Sequence, residues 1–161
     1  MRFRLPLVVA ILTLAAFRPA VADEVASFTN DWTGNGIVVE AISDPKVQGV
    51  TCHLSRFDRS VIDRLAKGNY LEDPSNSAIA CRQTGPIVIG DISTSEHGED
   101  AFSERLSLIF KSLAVRRIYD KKNNTLIYIA YSKQVKNASA KMSISTVALF
   151  DSSATWAKDK K

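Results

Sequence analysis

Cysteine and histidine are scarce in this sequence, which contains two of each. So few soft ligands do not provide the Cys and His spacing that a zinc or other transition-metal centre uses. The two cysteines lie far apart, so the chain lacks the Cys-x-x-Cys motif of thioredoxin-like redox proteins. It also has neither the Gly-x-Ser-x-Gly elbow of a serine hydrolase nor a complete glycine-rich phosphate loop. The sequence therefore predicts no catalytic residue, no metal site and no bound cofactor.

The N-terminal apolar run is too short to cross a membrane as a helix, which needs roughly 20 residues. The run extends over thirteen residues, Leu5 to Phe17, and follows a short basic head. Ala20-Val-Ala22 then provides the small-x-small pattern that a signal peptidase recognises. We predict a cleaved signal peptide over residues 1–22 and export to the periplasm, the alternatives being a retained anchor or a buried N-terminal helix. We expect no stable membrane insertion after cleavage.

An excess of positive charge is also missing once the signal peptide is removed. The remaining chain has 161 − 22 = 139 residues, and loss of three arginines lowers the basic residues from 21 to 18 against 17 acidic ones. A net charge of 18 − 17 = +1 argues against a nucleic-acid partner, because such proteins usually carry a strong basic surface. This length suits a single domain, which we place at residues 23–150, followed by a flexible tail at residues 151–161.

The two cysteines, Cys52 and Cys81, fall in strand-like segments at Val47–Leu54 and Ala78–Gln83. In an oxidising compartment two cysteines most often pair, so a structural disulfide is favoured over a metal site or a reactive thiol pair. Between them, Ser55 to Lys67 predicts an amphipathic helix, because its apolar residues recur at helical spacing. These residues are Phe57, Val61, Ile62 and Leu65.

The rest of the chain is dominated by β-branched and aromatic runs that predict strands. These runs are Ile37–Ile42, Leu106–Tyr119, Thr125–Tyr131 and Met142–Phe150. Turn residues separate them, as in Ser43-Asp-Pro-Lys46 and at Asp120 to Asn124. The predicted fold class is therefore α+β: a mainly antiparallel β-sheet with one amphipathic helix packed on a face, and a single disulfide.

Two local groups of charged residues have several interpretations. The acidic group comprises Glu96, His97, Glu99 and Asp100. A solvated loop is favoured there over a cation site, because the regular alternation of a calcium-binding loop is missing. The basic group comprises Arg116, Arg117, Lys121 and Lys122. We predict that it is a charged hairpin tip that favours solubility, with binding of an anionic ligand as the alternative.

Several segments together resemble the CreA family of bacterial exported proteins. They are Val38–Pro45, Val50–Arg56, Glu72–Cys81 with Gln83 and Gly85–Ile87, Ile109–Asp120 and Tyr128–Ser132. Their collinear order from Ile37 to Ser132 is more specific than any one motif. The resemblance implies a small periplasmic protein with a signal peptide and cysteines at these positions. The family is named for its neighbourhood with a catabolite-regulation system, and the resemblance implies no biochemical activity.

Three hypotheses about function follow. The first is a non-catalytic module that binds a periplasmic protein, an envelope component or a small molecule. The second is an enzyme whose polar site is assembled from residues at family-matched positions. The candidates for that site are Asp44, Arg56, Glu72, Asp73, Arg117 and Asp120. The third is a structural or host-facing interaction protein that acts through a sheet edge or an apolar patch.

Overall fold

The computed structural model describes residues 22–32, 35–58, 77–102, 113–132, 142–150 and 152–157, and these ranges are built from β-strands. The strands are β1 (Ala22–Thr29), β2 (Gly36–Ser43), β3 (Val47–Asp58), β4 (Ser77–Ile89), β5 (Glu99–Asp100), β6 (Leu113–Asp120), β7 (Thr125–Ser132), β8 (Met142–Ala148) and β9 (Thr155–Trp156). The predicted strands at Ile37–Ile42, Val47–Leu54, Ala78–Gln83 and Thr125–Tyr131 are confirmed, each within a longer or equal observed strand.

The strands form two sheets. The first has the order β1-β2-β3-β4-β9 and the second the order β5-β6-β7-β8. Neighbouring strands are antiparallel except β4 and β9, which run parallel. Consecutive strands joined by short turns pair with each other, as antiparallel hairpins do.

The predicted α+β class is wrong for the described part of the chain, which contains strands and no helix. The helix expected over Ser55 to Lys67 is replaced at its start by strand, because β3 continues to Asp58. These last residues of β3 pair in register with the beginning of β2, from Ser55 opposite Val39 to Asp58 opposite Gly36. A neighbouring strand that offers backbone partners outweighs the helical spacing of the apolar residues. Residues 59–67 lie outside the described ranges.

β4 passes through Gly85 and Pro86 without ending. The register between β3 and β4 shifts between Gln48 and Val50. At this bulge Gly49 has a φ of 76°, and a Cβ atom there would lie 2.3 Å from the carbonyl oxygen of Pro86. Glycine at position 49 therefore allows the two backbones to approach closely opposite the proline.

The core lies between the two sheets, since buried apolar side chains from both form one cluster. Cys52 and Cys81 are opposite each other on β3 and β4 and form a disulfide, which confirms the predicted bond. Both cysteines are fully buried in this cluster. Where β4 meets β8, the Cys81 N–H donates to the hydroxyl of Ser145 at 2.7 Å. The disulfide therefore joins two strands of the first sheet at the point where the second sheet contacts it.

The segment expected to be a flexible tail contributes the short strand β9, which pairs with Val88 and Ile89 of β4. The ring of Trp156 packs edge-on against Tyr119 of β6, with ring centres 5.4 Å apart. Among the described residues there is no helix of the length and apolarity needed to cross a membrane.

Candidate functional site

The most charged part of the interior is a cluster around Arg117 of β6. The side chain of Arg117 is 1% exposed, and the side chain of its partner Asp44 is fully buried. Both carboxylate oxygens of Asp44 accept a hydrogen bond from Nη1 of Arg117. A charge removed from water is costly unless it is paired, and this contact between the two sheets pairs the two buried charges.

Asp44 occupies the turn between β2 and β3, where the Ser-Asp-Pro-Lys sequence predicted it. Its Oδ1 accepts hydrogen bonds from the backbone N–H groups of Lys46 and Val47, at 2.9 and 3.1 Å. Its Oδ2 accepts a hydrogen bond from the hydroxyl of Tyr128 at 2.7 Å. One carboxylate thus fixes the turn and links it to β6 and β7 of the other sheet.

Glu99 of β5 is the second anion of the cluster. It accepts hydrogen bonds from Nη2 of Arg117, from Nζ of Lys46 at 2.7 Å and from the backbone N–H of Ser93 at 3.0 Å. Burial raises the pKa of Glu99, but these three donors outweigh it and lower the pKa to about 2. Glu99 is therefore ionised at every physiological pH.

Tyr128 and Arg117 of the cluster also have shifted pKa values. Burial and the negative charge of Asp44 raise the pKa of the Tyr128 hydroxyl well above its usual value. The pKa of Arg117 is raised although burial lowers it, because the charge and hydrogen bonds of Asp44 act against the burial. With Arg117 and Lys46 balancing Asp44 and Glu99, the cluster is neutral and its groups are occupied by one another.

Of the six polar residues predicted from the sequence, Asp44 and Arg117 come together in this cluster. Arg56 lies elsewhere, bonded to the buried Glu40 at 3.3 Å. Arg56 is opposite Val38 on β2, and the six residues from Val38 to Asp44 correspond to about 20 Å of strand.

Asp120 caps the turn between β6 and β7. It accepts hydrogen bonds from the backbone of Lys122 and Asn123 and from the side chain of Asn123. Its carboxylate is therefore engaged in its own turn and does not belong to the cluster. The remaining two candidates, Glu72 and Asp73, lie outside the described residues.

The two local charged groups of the sequence pair with each other. Glu99 is opposite Arg117 and Asp100 is opposite Arg116 across β5 and β6. The prediction of a solvated acidic loop is therefore wrong for Glu99, whose side chain is 22% exposed and bonded to Arg117. The prediction of a basic hairpin tip is wrong for Arg117, which is buried. Within the described ranges, no group of three or more His, Cys, Asp and Glu side chains is placed to hold a metal ion.

A second candidate surface lies on the side of the second sheet that faces away from the core. Side chains alternate along β7, so Ile127, Ile129 and Tyr131 are on the side opposite the buried Leu126 and Tyr128. Cross-strand partners extend this row on both sides, since Ile118 is opposite Ile127, Ile144 opposite Ile129 and Met142 opposite Tyr131. We define the outer face as Ile118, Ile127, Ile129, Tyr131, Met142 and Ile144.

The outer face is apolar and partly open to solvent. Met142 is 72% exposed and Ile144 is 63% exposed, whereas the other members are half-buried. Two polar residues lie on the same side: Arg116, opposite Ile129, donates to Asp100 at 3.2 Å, and Thr146 is opposite Ile127. The face spans three strands about 4.8 Å apart and extends about 13 Å along β7 from Ile127 to Tyr131, which gives an area of about 200 Å². Contiguous exposed apolar side chains mark candidate interaction sites.

Comparison with known proteins places the chain in a family. The family model described as CreA protein matches residues 25–152. The chain belongs to the CreA family. The chain is 47% identical over 115 residues to Protein CreA of Escherichia coli strain K12. This alignment covers 69% of the chain and 71% of the relative. Protein CreA of Escherichia coli O157:H7 gives the same values, and no solved structure is significantly similar.

The family match confirms the resemblance found in the sequence. It includes the cluster residues Asp44, Glu99 and Arg117 and most of both sheets. Sequence reasoning missed Glu99, Lys46 and Tyr128 as members of the cluster. Tyr128 lies in one of the segments that resemble the family, whereas Glu99 belongs to the acidic group, and nothing in the sequence links it to the arginine that it binds.

Proposed function

We propose that this CreA-family chain is an exported, periplasmic, non-catalytic binding protein, and that its outer face binds a partner protein. The observation that carries the proposal is the rows of paired apolar side chains on that face, with Ile144 opposite Ile129 at their centre. The N-terminal sequence pattern and the disulfide support export to an oxidising compartment.

The apolar character of the face suits a macromolecule better than a small ligand. Small molecules are usually held in concave sites that enclose most of their surface, whereas a sheet face offers a broad contact. Complete burial of one exposed isoleucine or methionine contributes about 1.5–3 kcal/mol, so Ile144 and Met142 would be the main anchors. The area of about 200 Å² is roughly a quarter of the contribution of one partner to a standard interface. The face would therefore form the apolar centre of a larger contact.

The ion cluster supports a non-catalytic role by the directions of its pKa shifts. A general base needs a pKa near the working pH, but the pKa of Glu99 is lowered to about 2, which makes it a weak base. The pKa of Tyr128 is raised, so its hydroxyl is a weaker acid than in water. Structural ion pairs shift pKa values in this way, and we assign the cluster the task of holding the two sheets together.

Site-specific photo-crosslinking tests the proposal in living cells. A photoreactive amino acid in place of Ile144 should form covalent adducts with one defined periplasmic protein. The same amino acid in place of Val25 on β1 is the matched control, since Val25 is 58% exposed and belongs to the other sheet.

The captured protein is then purified and its affinity for the chain is measured. Ile144→Ser should weaken binding at least tenfold, while Val25→Ser should leave it unchanged. The proposal would be contradicted by equal adducts at both positions or by no adduct at position 144. Equal affinities of the two variants would also contradict it. Cleavage after Ala22 and recovery in the periplasmic fraction test the location separately.

A further inference from the structure

The Cys52–Cys81 disulfide is buried in the interior of the folded chain. Cys52 and Cys81 are each 0% exposed. They are side by side on β3 and β4, and their neighbours Val50, Leu54 and Ile79 on the same side of the sheet are also buried. The bond is therefore covered on the side of the core.

Strand β8 closes the open edge of β4 at the same position. The Cys81 N–H donates to Oγ of the buried Ser145, and the Cys81 carbonyl accepts a hydrogen bond from Nη1 of Arg82 at 2.8 Å. The backbone of Cys81 is thus engaged on both of its polar groups. Once β8 is in place, the thiols lie between the two sheets.

Disulfide formation requires contact with an external disulfide. The thiolate of one cysteine attacks a sulfur of the oxidant, which forms a mixed disulfide and releases one thiol. The thiolate of the other cysteine then attacks the mixed disulfide, forms the Cys52–Cys81 bond and releases the second thiol. Two electrons and two protons pass from the chain to the oxidant. Both steps need space around a sulfur atom that the folded core does not provide.

We infer that an external disulfide oxidises the thiols of Cys52 and Cys81 before β8 packs against β4. We also infer that reductants do not reach the finished bond while the chain is folded. The order of the chain permits this sequence of events. β8 begins at Met142, which is 142 − 81 = 61 residues after Cys81. A chain that enters the compartment N-terminus first therefore presents both cysteines before β8.

Reduction of the native protein by dithiothreitol tests the inference, followed by alkylation of the thiols and mass spectrometry. We expect reduction in native buffer to be at least about 100-fold slower than in denaturing urea, and to accelerate steadily as urea opens the fold. Ser145→Ala should speed native reduction several-fold, because β8 then binds the edge of β4 less tightly. Thr146→Ala, on the exposed side of the same strand, is the control and should have no effect.

The forward reaction is measured on chain that is reduced, refolded without oxidant and then given oxidised glutathione. Folded reduced chain should form the bond at least about 100-fold more slowly than the chain in urea. If the reduced chain does not fold, the reduction experiment alone decides. A native reduction rate within tenfold of the denatured rate and independent of urea would overturn the inference.

Discussion

Replacement of Arg117 by methionine is the sharpest test of the buried ion cluster. Arg117→Met keeps a long apolar side chain in β6 but leaves the carboxylate of Asp44 buried without its cation. Loss of one partner of a buried ion pair typically lowers the free energy of unfolding by about 3–5 kcal/mol. Two features favour the lower end of this range. Asp44 retains its hydrogen bonds from the turn and from Tyr128, and Nε of Arg117 is buried without a hydrogen-bond partner among the described residues. We expect a loss of about 3 kcal/mol.

Arg116→Met is the matched control, because Arg116 is the adjacent residue of β6 and faces the other side of the sheet. Its side chain is 39% exposed and that of its partner Asp100 is 27% exposed. Exposed ion pairs contribute about 0–1 kcal/mol, so this variant should stay close to the unchanged protein. Urea unfolding followed by circular dichroism and tryptophan fluorescence gives both free energies. Equal losses for the two variants would refute the assignment of Arg117 as the link between the sheets.

A second substitution shows whether the loss comes from the buried, unpaired charge of Asp44. Asn at position 44 still accepts the two turn hydrogen bonds at its Oδ1, and its Nδ2 can donate to the Tyr128 hydroxyl oxygen, but it carries no charge. Asp44→Asn should therefore lower the free energy of unfolding less in the Arg117→Met chain than in the unchanged chain. The difference between the two losses is the coupling energy of the two side chains, which we expect to be about 2 kcal/mol. Strictly additive losses would mean that the two side chains do not stabilise each other.

Two further predictions concern other parts of the fold. The pKa of Glu99 is about 2 in the folded chain, against 4.5 for an unperturbed glutamate side chain. The contribution of Glu99 to the free energy of unfolding is therefore complete above pH 4.5 and is lost as the pH falls towards 2. This contribution is at most about 3 kcal/mol, because the side chain is partly exposed. Urea unfolding of the unchanged protein and of Glu99→Gln should give free energies that converge over this pH range, and a constant difference would contradict the pairing. Gly49→Ala should lower the melting temperature, because the new Cβ would meet the carbonyl oxygen of Pro86 at 2.3 Å in a backbone of positive φ. Gly85→Ala, whose Cβ would lie 3.7 Å from its nearest neighbour, is the control.

The sequence was sufficient to predict those features whose interacting groups lie close together along the chain. The turn at Asp44 follows from Asp and Pro, whose side chains and backbone favour turns, and the turn hydrogen bonds of Asp44 are those of such a residue. The β6–β7 hairpin could be predicted for the same reason, since Asp120 caps it and Asn124 adopts a φ of 46°. In each case the interacting groups are only a few residues apart in the sequence.

The errors arose where a distant strand decides the outcome. The spacing of Phe57, Val61, Ile62 and Leu65 predicts a helix, but residues 55–58 continue β3 because β2 extends far enough to pair with them. The position of Glu99 could not be predicted, because β5 has two residues and no strand signal of its own. Its burial depends on the pairing of Glu99 with Arg117, which the separate acidic and basic groups did not indicate.

The internal links and the proposed binding face involve different sides of the same strands. Along β6, Arg117 points into the cluster, whereas Ile118 belongs to the outer face. On β8, Ser145 binds the edge of β4, whereas Ile144 is exposed. Because adjacent residues of a strand face opposite sides, substitutions of the outer face should change binding with little effect on stability. Substitutions of the inward residues should do the reverse. A variant of Ile144 that lost both binding and several kcal/mol of stability would therefore indicate that the outer face packs within the chain and is not a site for a partner.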